Sequence, residues 1–478
     1  MRVLLPVLWA LLLLLSPAAR AQQITWSAPV QVAPPSEDNV RPRIVLDASG
    51  NPMITWGNEQ MVGMGMAMFS RWNGNSFTSA VTLSPMTMSV FTYSWAGPEI
   101  ASRGDTVYVV FKNLPEDTGR IYIVRSYDAG QSWQGPTPVD GNLGNNNSRF
   151  HTISVLPDGN PVVAFMRFKP VFQEPRYVVV RSSDYGATFG TPVLASRSST
   201  EACDCCPASM AVSGSTVMLF YRNNEADVRT IWTQTSTDGG NTFPDSLEAD
   251  NTNWMINACP SSGPDAIIIG DTAYAVFRSS PVATRVYLSR SAISSQQLAQ
   301  CVQHTGGFAG LQQQEYPAIA HHGNTAALVW RELVTGAYRL CFSFTENISN
   351  GFPTAYDTLA SNGVRVADVA MDGNNIHVVW EDITTNTVMY RKGSYTLSVP
   401  TGAAVATAVQ LHPNPASHYF AVSGMEHIVD CTLTNDAGHT WQARPAQGYG
   451  DGYFSLQGVA AGVYTVRVAD SRGRAATA

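Results

Sequence analysis

Seven times along this chain a run of alternating apolar residues meets a turn containing Gly or Asp, and a second run follows that ends on an aromatic residue. The copies are RPRIVLDASGNPMITW (41–56), GPEIASRGDTVYVVF (97–111), HTISVLPDGNPVVAF (151–165), PASMAVSGSTVMLFY (207–221), GPDAIIIGDTAYAVF (263–277), YPAIAHHGNTAALVW (316–330) and VRVADVAMDGNNIHVVW (364–380). A period of two puts every second side chain on one face of a strand, so each copy reads as a half-buried β-hairpin. A lone hairpin cannot bury its apolar face. Tandem copies can cover one another, which is how a radial array of small sheets is built.

A third strand follows each hairpin. In units two, three and four it runs into a turn of fixed grammar: SYDAGQSW (126–133), SSDYGATF (182–189) and STDGGNTF (236–243). In Ser-x-Asp-x-Gly-x-Ser/Thr-aromatic, the carboxylates of Asp128, Asp184 and Asp238 accept backbone N–H groups, the Gly takes positive φ and the aromatic packs beneath the loop. A fourth strand such as TPVLA (191–195) completes the unit. Unit one carries a degenerate copy, SRWNGNSF, with Trp72 at the Asp position, and units five to seven carry none. Four antiparallel strands per unit predict the blades of an all-β propeller. The last unit has three strands, ending near Tyr395, and ITWSAPVQV (24–32) is expected to supply its fourth, leaving no free sheet edge. The count predicts seven blades, or six if one hairpin is an insertion.

Arg2 precedes an apolar run from Val3 to Leu15, and Ala19-Arg20-Ala21 fits a small-x-small cleavage site, so 1–21 reads as a secretory signal peptide. The run is shorter than the ~20 residues that span a bilayer, and no later segment is expected to span one. Export would bring the cysteines into an oxidising compartment. A net charge of −7 offers no basic surface for nucleic acid, and a monomer is expected.

On the three turns at Ser126, Ser182 and Ser236, the chain over about 22–400 resembles the sialidase-like β-propellers with Asp-box (BNR) repeats. The resemblance implies that the boxes are structural, on the rim of the face opposite the active site. It also implies an extracellular glycan that is bound or processed by glycoside-hydrolase chemistry of the sialidase kind; a non-catalytic ligand-binding propeller, or a metal-binding one using the Cys203–Cys259 cluster, is the alternative. Sialidases combine an arginine triad for the substrate carboxylate, a Tyr activated by Glu as nucleophile, and an Asp as acid/base. The family's first-blade motif, an aromatic followed by Arg-Ile-Pro, is absent here; Val40-Arg41-Pro42-Arg43-Ile44 is a loose echo. The catalytic candidates are therefore residue types alone: Glu315, Tyr316, Glu332, Glu381 and Asp382. Glu315 and Tyr316 are adjacent on a strand and are expected to point to opposite faces.

The propeller is expected over 22–396, a linker over 397–408 and a small β-sandwich over 409–478, built from LHPNPASHYFAV (411–422), LTNDAGHTW (433–441) and FSLQGVAAGVYTVRV (454–468). Pro413-Asn414-Pro415, the Asp436-x-Gly438 turn and Ala461-Gly462-Val463-Tyr464 together resemble the carboxyl-terminal sorting domain of the type IX secretion system of Bacteroidetes. That resemblance implies passage through this machinery, removal of the module, and release or attachment at the outer-membrane surface. An adhesive sandwich is the alternative.

In such a ring the loops entering the innermost strands and leaving the second strands share one face. Arg222, Arg278 and Arg331 leave the second strands of three successive blades; Arg41, Arg43 and Arg167 come from other blades on the same face. Planar guanidinium groups grip carboxylates bidentately, so these six are candidates for holding an anionic ligand. The alternative pairs each with a neighbouring acid as an inter-blade salt bridge. Cys203-Asp204-Cys205-Cys206 and Cys259 place four of the seven cysteines in adjacent entry loops. Disulfides, for instance Cys259 to one of the trio, are one reading. A thiolate metal site completed by Asp204 or His151 is the other. Cys301 and Cys341 either pair or stay buried, and Cys431 belongs to the sandwich.

Overall fold

The computed structural model describes residues 24–35, 38–61, 63–141, 143–397, 409–425, 427–435, 439–450, 452–470 and 475–477. The expected signal peptide, the expected linker beyond Leu397 and the turn Asp436-Ala437-Gly438 lie outside the described residues. The chain divides into two compact units, Met1–Leu397 and Ser398–Ala478.

In the larger unit each predicted hairpin begins an antiparallel sheet, and there are seven such sheets in chain order. Their innermost strands are Asn39–Leu46, Glu99–Arg103, Asn147–Val155, Ser209–Ser213, Asp265–Ile269, Leu311–His322 and Val364–Met371. Each packs beside the next, and the seventh beside the first, so the array closes into a seven-bladed β-propeller. Apolar residues alternating on the strands fill the layers between blades: Val110, Ile123, Val163, Phe165 and Val178 do so between blades two and three.

The last blade is closed as the sequence suggests. Thr25 and Trp26 pair with Ser394 and Gly393, and Val30 and Gln31 with Tyr390 and Met389. The Ser27 N–H donates to the Lys392 carbonyl and the Val32 N–H to that of Val388, both at 2.8 Å. Trp26 then sets its edge against Phe342 of blade six, with centroids 4.9 Å apart.

The Asp turns lie at the end of the blades opposite the entry loops, and each is a small hydrogen-bond cage. Asp238 Oδ1 accepts the Asn241 and Thr242 N–H groups at 3.0 Å, Oδ2 accepts the Thr242 hydroxyl at 2.7 Å, and the Ser236 hydroxyl accepts the Gly240 N–H at 2.8 Å. Asp128 and Asp184 repeat the pattern. In blade one the role passes to Asn73, one residue beyond Trp72, which accepts the Asn75 and Ser76 N–H groups at 3.0 Å. The box aromatic clamps neighbours: Trp133 of blade two packs on Phe69 of blade one, 4.9 Å between centroids.

The Ser132 hydroxyl holds Asp128, and the Thr188 hydroxyl Asp184, at a pKa of about 2; in Asp238 burial opposes the shift, and hydrogen bonds from Ser236 and Thr242 outweigh it to about 2 as well. A carboxyl depressed on folding adds stability that is present above its unfolded value near 3.8 and lost as pH falls through about 2. Melting of the wild-type protein should therefore soften between pH 4 and 2. Asp238→Ala should cost about 1 kcal/mol at neutral pH, the exposed site limiting its worth, and should remove that blade's share of the acid sensitivity, read by denaturant melts at several pH values.

The smaller unit has two four-stranded sheets. Phe420, Val422 and Phe454 from one meet Cys431, Leu433, Val466 and Val468 from the other, which makes the expected β-sandwich. Among the described residues no helix is long and apolar enough to cross a membrane.

All seven cysteines are free thiols. The shortest separation between thiol sulfurs in the cluster, Cys203 to Cys206, is 3.1 Å, against about 2.05 Å in a disulfide. The cluster carries no disulfide in this structure, and Cys301 and Cys341 are likewise unbridged.

Candidate functional site

Aligning the hairpins by their aromatic ends gives one equivalent position on every innermost strand. It is Arg43, Glu99, Thr152, Ser209, Asp265, Ala318 and Asp368, each opposite the residue that precedes the aromatic. Six of the seven line a cavity of about 220 Å³ on the axis of the ring. The layer carries one arginine and three carboxylates. Asp368 Oδ2 accepts the Ile44 N–H of blade one at 3.0 Å, and Asp265 Oδ2 that of Ile319 in blade six at 2.8 Å, so these acids also tie blade to blade. Burial pushes Asp368 up to about 6 and raises Asp265. Glu99 is pulled up by burial but held below the usual carboxylate range by Arg43 and Arg41, at 3.1 and 2.6 Å.

Two residues before this layer, Arg41, Phe150 and Tyr316 all sit at φ 49. The strand ladders break register there, between Val40 and Arg43, Arg149 and Thr152, and Glu315 and Ala318. A bulge with a left-handed non-glycine residue is uncommon backbone that re-aims a side chain. In blade six it overturns the expectation for Glu315 and Tyr316. Both meet Arg331: the Glu315 carboxylate pairs with the guanidinium, whose carbon also lies 4.8 Å from the centre of the Tyr316 ring.

Above the carboxylate layer the mouth is lined by arginines paired with acids. Glu315 is shared by Arg278, at 2.7 Å, and Arg331. Glu381 accepts from Arg365 at 3.0 Å and from the Arg41 backbone N–H at 3.1 Å. Together with the Glu99 pairs, five arginines face three glutamates. Each of these arginines is ion-paired with a neighbouring acid, as the salt-bridge alternative expects, and the Nε atoms of Arg278 and Arg331 are buried with no protein acceptor. Beside the mouth, Tyr93 stacks on Trp95 with centroids 5.3 Å apart and planes 18° apart. Trp95 lines the cavity and Tyr93 is 47% exposed.

Other nominated residues are structural. Arg222 is fully buried and gives its N–H groups to the carbonyls of Ser262, Arg229 and Arg278, at 3.3, 2.7 and 2.7 Å, fastening blade four to blade five. Arg167 pairs across its strand with Arg176 and does not line the cavity. Glu332 is buried among donors from Gln314, Trp330 and Arg339. Asp382 accepts the Thr384 N–H and hydroxyl of its own turn, at 2.9 and 2.6 Å. The sulfurs of Cys203, Cys205 and Cys206 converge, while Cys259 joins only Asp204 and Cys205, and His151 joins neither group. His151 lies instead with Glu99 and Lys112, its pKa pushed down to about 4 by burial. Glu99, Asp265, Asp368 and Trp95 escaped the sequence reading; the hairpin alignment held the signal for the three acids.

No family model matches the chain, and no curated protein matches it. Similar solved structures include a protein of unknown function from Dyadobacter fermentans, 11% identical with a TM-score of 0.46, covering 78% of this chain and 99% of that one. The Hadza microbial sialidase Hz136 is 14% identical with a TM-score of 0.45, covering 75% and 66%. An α-L-arabinanase of Penicillium chrysogenum complexed with arabinobiose is 14% identical with a TM-score of 0.42, covering 77% and 98%.

Proposed function

We propose that this protein is an exported receptor for an acidic glycan, whose carboxylate is taken by the arginines at the channel mouth while a sugar ring stacks on Tyr93 and Trp95. The observation that carries this reading is the gathering of Arg41, Arg43, Arg278, Arg331 and Arg365 around the channel mouth, since planar guanidinium groups suit a carboxylate. Aromatic rings open to solvent beside polar donors add the second half of a sugar site. The apolar amino terminus and the motifs of the carboxyl-terminal sandwich support export through the type IX machinery. Sequencing the amino terminus of secreted protein should find Gln22.

Binding without cleavage follows from the state of the acids. Glu315 has both oxygens engaged by arginine, and Glu381 is held by Arg365 and the Arg41 N–H. Burial raises the Tyr316 phenol, which disfavours a phenolate nucleophile. A hydrolytic reading has one observation on its side: Asp368 near 6 and the depressed Glu99 line the same cavity, and acids pushed apart in pKa can divide proton donor from base. Calorimetric titration of the full chain with uronate oligosaccharides, sialyllactose and neutral oligosaccharides decides. Acidic sugars should bind without turnover, and Arg331→Ala should weaken them about 10–100-fold, the worth of a charge-assisted contact. Equal binding of neutral sugars sinks the arginine site; product formation abolished by Asp368→Asn would establish the hydrolase.

A further inference from the structure

The loop entering blade four is anchored by Glu201 and Ala202, which pair with Asn224 and Asn223 at the end of the second strand. The Cys203 N–H then donates to the Arg222 carbonyl at 2.8 Å and the Cys206 N–H to the Cys203 carbonyl at 3.2 Å, curling the loop into a turn. Inside the turn the sulfurs of Cys203, Cys205 and Cys206 lie 3.1, 3.5 and 4.0 Å apart, and all three residues are buried.

These thiols do not behave as small apolar fillers. The Arg229 guanidinium donates to Cys203 Sγ at 3.0 Å, and the buried Arg222 acts on the same sulfurs. One disulfide among three thiols would strand the third.

We propose that Cys203, Cys205 and Cys206 form a three-coordinate thiolate site for Cu(I). The circle through the three sulfurs has a radius of about 2.1 Å and its centre falls inside their triangle, close to a metal–thiolate distance of about 2.3 Å. Soft thiolates select Cu(I). Zinc asks for four ligands, and the remaining cysteine of the pair of loops, Cys259, stands outside the trio. The thiols lose three protons on binding and the copper keeps its oxidation state, leaving two negative charges that the buried Arg222 and Arg229 offset. Cys259 is exposed and groups with Asp204 and Cys205. Because Cys205 belongs to both groups, an ion caught outside can pass inward by ligand exchange, which gives the site its entry path.

The test is anaerobic titration of the full chain, with ascorbate present, against the Cu(I)–bicinchoninate complex. One Cu(I) per chain should be withdrawn, with a new near-ultraviolet thiolate-to-copper absorption and an X-ray absorption shell of three sulfurs. Cys206→Ser should lose the ion, Cys341→Ser should keep it, and Cys259→Ser should keep the stoichiometry but load more slowly. Arg229→Gln should retain the site with affinity about 10–100-fold lower. Failure of the wild-type chain to compete, retention by a folded Cys206→Ser variant, Zn(II) bound in preference with Cys259 required, or a trio that resists alkylation until reduced would each overturn the assignment. Loading of the wild type and of Cys259→Ser, altered only on an exposed loop, decides the matter even if the buried variants misfold.

Discussion

A chain that starts at Ala33 should fail to give a soluble monomer with a cooperative melt. Removing Ile24 to Val32 strips the outer strand from blade seven, whose Thr387–Ser394 strand then presents unpaired N–H and C=O groups to solvent as a template for other chains. It also takes away the apolar cover that Ile24 and Trp26 give the layer between blades six and seven, and Val32 from the layer between seven and one. Size-exclusion chromatography should show aggregate. A synthetic peptide of residues 24–32 added during refolding should restore part of the monomer, because the missing piece is a strand and no covalent link is needed to pair it. Trp26→Ala in the intact chain is the milder form, costing about 3 kcal/mol through the lost ring. A truncated monomer melting like the full chain would remove closure as a source of stability.

Glu99→Ala should be the most damaging single substitution at the channel, about 3–5 kcal/mol, because it leaves Arg41 and Arg43 buried without their shared counter-charge. The pH dependence separates this from simple cavity formation. Since the folded pKa of Glu99 lies below the ordinary value, its contribution is full above that value and lost as pH falls through the depressed one. The gap between wild type and variant should therefore narrow in acid. A constant gap across pH would mean that packing, and not charge, carries the effect. Glu99→Gln, which keeps the shape, should fall between the two.

The repeat made the ring legible, because alternation and aromatic ends are local properties that each hairpin states for itself. The Asp turns were legible for the same reason, and the closing strand because a three-stranded last unit needs a partner. The site was legible only in residue type. Arg222 and Arg278 hold equivalent places after their second strands, yet one is consumed by backbone carbonyls and the other reaches Glu315; nothing in the hairpin grammar encodes that choice. Glu315 and Tyr316 were read with strand periodicity, and the bulge that breaks it depends on neighbouring blades. The cysteines were recognised as a cluster, but dividing three from the fourth required coordinates.

The closing strand also sets a clock on synthesis. Ser27 meets Lys392 across a separation of 365 residues, so its contact waits for nearly the whole propeller to be made. At roughly 5–20 residues per second the first strand spends about 20–70 s without its partner. During that interval six blades are an arc with two open ends, and whatever captures the amino-terminal segment first, whether a chaperone or a transport channel, competes with nothing inside the nascent protein.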